Sequence, residues 1–152
     1  MMRQRINDEL KTAMKSGDKL KVSVLRMAQA ALKDRDIEAR GLGKEPLTDE
    51  EILTLFQKMI KQRQESAALY GKGGRADLQA QETAEVEILS SFLPKQLDEA
   101  EVRAAVAAAV SEVGAASIRD MGKVMAALKA KYTGRMDFAK VGPLVKDALP
   151  KG

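Results

Sequence analysis

Apolar side chains recur every three or four residues along almost the whole chain, which is the spacing of one face of an α-helix. No stretch alternates between apolar and polar residues for long enough to predict a β-strand. The pattern therefore predicts an all-α fold. Together with the glycine and proline breakers between the periodic segments, it predicts seven helices, four before Pro94 and three after it.

Residues that cap helix N-termini mark several of the predicted starts. In a capping box, the first side chain accepts a hydrogen bond from the third helical amide, and the third side chain accepts one from the first residue's amide. The predicted caps are Asp18, Thr48 with Glu51, Asp98 with Glu101, Ser117 and Asp137. The last helix holds a local conflict at Gly142 and Pro143, which predicts a kink or a displaced start.

A short joint at residues 94–96 divides the predicted helices into two groups. We expect an N-terminal four-helix bundle over residues 1–94 and a smaller C-terminal three-helix unit over residues 95–152. Within the C-terminal unit, the core-facing stripe predicted for the sixth helix consists of Ile118, Met121, Met125 and Leu128.

Composition removes many classes of enzyme. The chain has no His and no Cys, which excludes disulfides, thiolate or imidazole metal ligands, Cys nucleophiles and the Ser-His-Asp triad. Two Tyr, three Phe and no Trp argue against a surface that stacks bases on aromatic rings. Paired carboxylates such as Glu85 and Glu87 are predicted to lie on solvated helix faces, so we expect no catalytic residue, no metal and no cofactor.

Hydropathy predicts no membrane segment. The longest stretch without a charged residue is the eight residues 104–111, far too short to cross a bilayer. The first residues are polar and lack the apolar core of a secretory signal. These features predict a cytoplasmic protein.

Charge is concentrated near the C-terminus. The whole chain carries a net charge of +4 with a pI near 9.3, whereas the segment from Ser117 onward holds eight basic and three acidic residues, a balance of +5. The preceding predicted helix, residues 98–113, has a balance of −3. The basic segment is open to two interpretations, a surface that tracks phosphates or a solvated face whose last-turn lysines complement the helix dipole. A second basic group is open to the same two interpretations, and its pattern is the more typical of a solvated helix; it consists of Lys58, Lys61, Arg63, Lys72 and Arg75.

Gly122 departs from the local rules, because a glycine inside a helix costs about 1 kcal/mol relative to alanine. It is explained either by close packing of two helices or by the close approach of a ligand backbone.

Several blocks of the sequence together resemble the YqeY family, also called the GatB/YqeY domain. They are residues 25–27 (LRM), 30–33 (AALK), 47–51 (LTDEE), 74–78 (GRADL), 92–97 (FLPKQL), 120–125 (DMGKVM) and 134–137 (GRMD). The resemblance implies a two-part helical fold whose C-terminal part is similar to the tail of the B subunit of the tRNA-dependent amidotransferase. That tail contacts tRNA, so the resemblance implies that Gly122, Lys123, Gly134 and Arg135 face tRNA.

The resemblance and the charge pattern lead to one functional expectation and two alternatives. We expect a tRNA-binding accessory protein of translation or tRNA amidation that is not catalytic by itself. The family is often labelled a carbon–nitrogen ligase with glutamine as amido-N-donor, but the sequence shows neither an ATP site nor an ammonia source. The alternatives are such an enzyme and a protein-interaction module with no RNA role. The expected RNA-binding residues are Arg119, Gly122, Lys123, Lys129, Lys131, Gly134, Arg135 and Lys140.

Overall fold

The computed structural model describes residues 1–149, which form seven α-helices and no strand. The predicted all-α fold is thereby confirmed. The helices are α1 (Met2–Ser16), α2 (Lys19–Gly41), α3 (Asp49–Lys72), α4 (Ala76–Ser90), α5 (Glu99–Glu112), α6 (Met121–Tyr132) and α7 (Phe138–Ala148). A 3-10 turn, Ile118–Asp120, leads into α6.

The two predicted capping boxes are present. At the start of α3, the Glu51 amide donates to the Thr48 hydroxyl at 3.2 Å and the Thr48 amide donates to the Glu51 carboxylate at 3.1 Å. At the start of α5, the Glu101 amide donates to Asp98 at 2.7 Å, and the Asp98 amide donates back at 3.2 Å. Side-chain oxygens therefore satisfy amides that the first helical turn leaves unpaired. Asp18 and Asp137 also cap α2 and α7 as predicted, whereas Ser117 caps the 3-10 turn before α6 and not α6 itself.

The chain divides into two compact units, of which the first spans Met1–Leu93. In it, α3 packs most extensively on α4, while α1 packs on α2. Phe56 and Phe92 meet edge to face in its core, with ring centroids 5.5 Å apart. Arg5 lies over the Phe92 ring at 4.8 Å from the centroid. Phe92 follows the end of α4, and the turn after Ser90 folds it back into the core.

A polar clasp joins three parts of this first unit. Both terminal nitrogens of Arg3, on α1, donate to the Asp36 carboxylate of α2, at 2.7 and 2.8 Å. Arg3 also donates to the Leu47 carbonyl, and the Leu47 amide donates to Asp36 at 3.0 Å. The hydrogen bonds from Arg3 lower the pKa of the Asp36 carboxyl. The clasp fixes the segment that enters α3 against the first two helices.

The second unit begins at Pro94, and its helices α5, α6 and α7 all pack on one another. Val124 and Val145 are fully buried at its centre, beside Leu128 and Val141. Residues 150–152, the end of the predicted C-terminal unit, lie outside the described residues.

The predicted core stripe of the sixth helix is wrong at its first position. Ile118 is 43% exposed, whereas Val124, which the stripe omitted, is completely buried. The reason is the 3-10 turn: it has three residues per turn rather than 3.6, so its residues do not continue the face of the helix that follows.

Of the kink or displaced start expected at Gly142 and Pro143, the displaced start is wrong. Helix α7 begins at Phe138, where the Asp137 carboxylate accepts from the Ala139 amide at 3.0 Å, and it continues through Pro143. Gly142 faces α6, since a Cβ atom there would lie 3.8 Å from the terminal methyl of Met121. The cap and the packing against α6 therefore outweigh the unfavourable proline.

Candidate nucleic-acid interface

The outward face of α6 combines small residues with lysines. Gly122, Ala126 and Ala130 follow one another at four-residue intervals, and all three are exposed. Lys123 and Lys129 lie on either side of this line and are exposed as well. We call these five residues the α6 face. It points outward because Val124 and Leu128, on the opposite side of the helix, fill the core.

Gly122 lies at an open surface. A Cβ atom built on it would have no neighbour within 4 Å. Close packing of two helices, one of the two explanations for this glycine, is therefore wrong for the residues that the structure describes. Room for a ligand backbone is the explanation that the geometry leaves.

Arg119 lies in the turn before α6, and Lys123 follows it in the first turn of the helix. The Arg119 amide donates to the Ser117 hydroxyl at 3.3 Å, and its side chain is exposed. Asp120 accepts from the Ala116 amide at 2.9 Å and lies 4.0 Å from the Lys123 ammonium. Backbone hydrogen bonds, chiefly from Ala116, lower the pKa of Asp120. Asp120 therefore stabilises the turn, while Lys123 keeps most of its side chain in solvent.

The other predicted lysines differ in their partners. Lys131 pairs with Glu112 of the acidic helix α5 at 3.8 Å, so part of its charge is compensated. Lys129, at the end of α6, and Lys140, on α7, are exposed and form no ion pair within residues 1–149. Lys123 and Lys129 are six residues apart, about 9 Å along the helix axis. Lys129 therefore offers uncompensated charge on α6, whereas Lys123 and Lys131 each lie within 4.0 Å of a carboxylate.

Gly134 and Arg135 form the turn after α6 and tie it to the segment before α5. Gly134 is buried with φ 81°, and its carbonyl accepts from the Gln96 side-chain amide. The Arg135 Nε donates to the Lys95 carbonyl at 3.0 Å, and its guanidinium lies 5.8 Å from the centre of the Tyr132 ring. Because Gly134 is buried, we assign it the role of shaping the turn. Arg135, in contrast, is oriented by two contacts that leave its terminal nitrogens without a partner among the described residues.

The two glycines should respond oppositely to alanine. Gly134→Ala places a side chain at positive φ and is expected to destabilise the protein by about 1–2 kcal/mol. Gly122→Ala adds a better helix former at an open position and is expected to stabilise it by about 0.5–1 kcal/mol. Urea unfolding of both variants measures this. Equal effects of the same sign would contradict the roles assigned to the two glycines.

A buried ion pair in the first unit is the feature that the sequence patterns missed. The prediction that Glu85 lies on a solvated face is wrong: it is 6% exposed, and its carboxylate lies 3.5 Å from the Arg63 Nε, between α4 and α3. Burial raises the pKa of Glu85, and the neighbouring Glu82 raises it further, while Arg63 opposes both. Arg63 is thus removed from the second basic group, and Arg75, which precedes α4, pairs with Asp77 at 3.3 Å.

Two kinds of site are absent from residues 1–149. No group of three or more carboxylates within that range could hold a metal ion. None of its helices is long and apolar enough to cross a membrane.

Comparison with known proteins gives one family. The family model described as "Yqey-like protein" matches residues 3–149. Similar relatives include the fungal proteins named "Altered inheritance of mitochondria protein 41, mitochondrial". The one from Lachancea thermotolerans is 30% identical over 71% of this chain and 57% of its own length. The one from Pyrenophora tritici-repentis is 30% identical over 84% of this chain and 71% of its own, and that from Vanderwaltozyma polyspora 28% over 58% and 46%. The chain thus spans about half the length of the first and third of these relatives.

The predicted cytoplasmic localisation is wrong in the light of these relatives, which are named as mitochondrial proteins. The prediction used the lack of an apolar signal core, and that feature concerns secretion alone. Mitochondrial targeting uses amphipathic, arginine-rich segments, which have no such core.

Proposed function

Because the chain belongs to the Yqey-like protein family, we propose that it is a tRNA-binding accessory protein, with the α6 face as its RNA contact. The proposal includes a role beside tRNA-dependent amidation and a division into domains at residues 1–94 and 95–152, the second carrying the RNA contact. It assigns no catalytic residue. The observation that carries it is the α6 face itself, which combines two exposed lysines with an open glycine and contains no carboxylate.

Charge supports this proposal. Ammonium groups that neutralise phosphates release condensed counterions, and this release supplies much of the affinity of proteins for nucleic acids. Lys123 and Lys129 are exposed on the α6 face, and Lys140 adds a third cation on α7. Of the acidic residues of this unit, Asp98 caps α5, and Asp120 accepts from Ala116 as well as lying 4.0 Å from Lys123.

Arg135 adds a directed contact. Its Nε and its ring contact hold the guanidinium plane, while the two terminal nitrogens keep their hydrogen-bond capacity. A guanidinium held in this way loses little conformational entropy when it donates two parallel hydrogen bonds to a phosphate. Gly134 contributes indirectly through the turn that positions Arg135.

The absence of a side chain at Gly122 supplies the third support. A helix surface without a Cβ atom lets a sugar-phosphate backbone approach closely, between the lysines on either side. Gly122→Leu leaves the net charge of the protein unchanged and introduces a good helix former, but its side chain fills that space. We expect it to weaken tRNA binding about tenfold, measured by fluorescence anisotropy with labelled tRNA.

The matched control is Ala107→Leu, at an exposed position of α5 in the same unit. It adds similar bulk away from the α6 face and should leave the affinity unchanged. If Gly122→Leu binds tRNA as tightly as the wild type, RNA does not approach this helix closely.

A further inference from the structure

A groove in the first unit, far from α6 in sequence, has the character of a docking surface. It is a shallow groove of about 730 Å³, largely open to solvent, between the end of α1 and one side of α2. The α2 residues that line it begin at Lys19 and end at Ala30, at the three- and four-residue intervals of a single helix face. That face is about 16 Å long at 1.5 Å per residue, which matches three turns of a second helix laid beside it.

The floor of the groove is apolar and open to solvent. Met14 of α1 and Met27 of α2 are 54% and 41% exposed, and Val22 lies between them along the lining. Methionine side chains are flexible and polarisable, and they are frequent on surfaces that adapt to the apolar residues of a partner. Leu69 is even more exposed, at 69%, but lies outside this groove.

The rim of the groove is positively charged. Lys19 and Arg26 line it, seven residues and about 10 Å apart along α2, and none of the lining residues is acidic. Neither cation has an ion-pair partner within residues 1–149. The contrast is Lys21, on another side of the same helix, which pairs with Glu9 at 3.5 Å.

We propose that this groove binds an acidic amphipathic helix of a partner protein. Large apolar side chains of that helix, three or four residues apart, lie against Met14 and Met27, and its flanking carboxylates pair with Lys19 and Arg26. Helices commonly dock in apolar grooves through anchors at this spacing. The inference is independent of RNA binding, because the groove belongs to the Met1–Leu93 unit.

The probe for the test is a synthetic 14-residue peptide with Leu at positions 3, 6, 7 and 10 and Glu and Ala elsewhere, labelled with fluorescein. Fluorescence anisotropy with the full chain should show saturable binding. Arg26→Glu and Met14→Glu should each weaken it at least tenfold. Lys72→Glu and Leu69→Glu also replace a cation and an apolar residue by glutamate, but at exposed positions outside the groove. They should have no effect on peptide binding.

Two further probes separate the sources of any binding. A peptide with Lys in place of Glu should bind at least tenfold more weakly, and one with Ala in place of Leu should not bind. No binding of the acidic peptide, or equal binding to Arg26→Glu and the wild type, overturns the proposal. Tighter binding to vesicles of phosphatidylglycerol and phosphatidylcholine than to the peptide also overturns it, because the partner is then a lipid surface.

Discussion

Replacement of Arg63 by Met should destabilise the first unit by about 3–5 kcal/mol at pH 7. The Glu85 side chain is 8% exposed and that of Arg63 13%, and their charged groups lie 3.5 Å apart. A methionine fills similar space but leaves the Glu85 carboxylate without a counter-charge, and an unpaired buried charge costs this much. The loss is a large part of the stability of an ordinary domain. Urea unfolding followed by circular dichroism measures it.

The loss should depend strongly on pH. Burial already raises the pKa of Glu85 above its ordinary value of 4.5, so the folded state binds this proton more tightly than the unfolded chain. The protonated Glu85 carboxyl stabilises the folded state fully below about pH 4.5. This stabilisation is lost as the pH rises through the pKa that Glu85 has in the folded protein. The Arg63→Met variant should therefore approach the wild type near pH 4, where Glu85 is protonated, and fall furthest behind at neutral pH.

A second substitution isolates the charge. Glu85→Gln removes the charge in the Arg63→Met background, and the double variant should regain most of the lost stability at pH 7. Arg103→Met is the matched control, because Arg103 pairs with Glu99 at 2.8 Å but both side chains are well exposed. It should cost less than about 0.5 kcal/mol, since exposed pairs contribute little. Equal losses for Arg63→Met and Arg103→Met would show that burial does not set the energy of the pair.

Reversal of both lysines on the α6 face should weaken tRNA binding about 100-fold at 0.1 M salt. Each phosphate contact contributes roughly 0.7–0.9 to the slope of log affinity against log salt. At 0.1 M salt, one such contact therefore contributes nearly a factor of ten in affinity. Lys123→Glu with Lys129→Glu removes two contacts, so the slope should also fall by about 1.5. Both side chains are exposed and distant from the core, so the fold should persist.

The control for this reversal is Lys11→Glu with Lys72→Glu, two exposed lysines of the first unit. It changes the net charge by the same amount and should alter both affinity and slope much less. Circular dichroism should give equal helicity for all three proteins. A similar loss of binding in both double variants would show that tRNA responds only to net charge, and the α6 face would lose its assignment.

The helices could be predicted from sequence because their signals are local. Thr48 and Asp98 cap helices through hydrogen bonds to residues three positions away, and such bonds need no tertiary partner. The error at Ile118 has a local cause as well. A 3-10 turn before α6 changes the angular spacing, and an apolar residue at a helical interval then points outward.

The Arg63–Glu85 pair could not be predicted in the same way, because it joins two helices through tertiary packing. Each residue does lie four positions from a buried neighbour, Arg63 after Met59 and Glu85 before Leu89. A charge on the inner side of each of two adjacent helices is the signal that was available. Composition alone placed both residues on solvated faces.

Only the positive charge of the candidate site could be predicted from the sequence. The basic C-terminal segment is visible in the sequence, but the partners that separate its members are tertiary. Lys131 pairs with Glu112 on another helix, and Arg135 donates to Lys95, forty residues earlier. The family resemblance assigns the same role to Gly122 and Gly134. In the structure, however, Gly122 is open to solvent and Gly134 is buried at positive φ. Backbone conformation decides between their roles.

One measurement tests the central proposal most directly: a titration of the wild-type protein with bulk tRNA at several salt concentrations, with duplex DNA of similar length as the control. We expect a preference for tRNA and a log–log salt slope of several units, since each neutralised phosphate contributes roughly 0.7–0.9. Weak binding that is equal for tRNA and DNA, and that disappears at physiological salt, would contradict it. The +5 segment would then be a solvated surface without an RNA role.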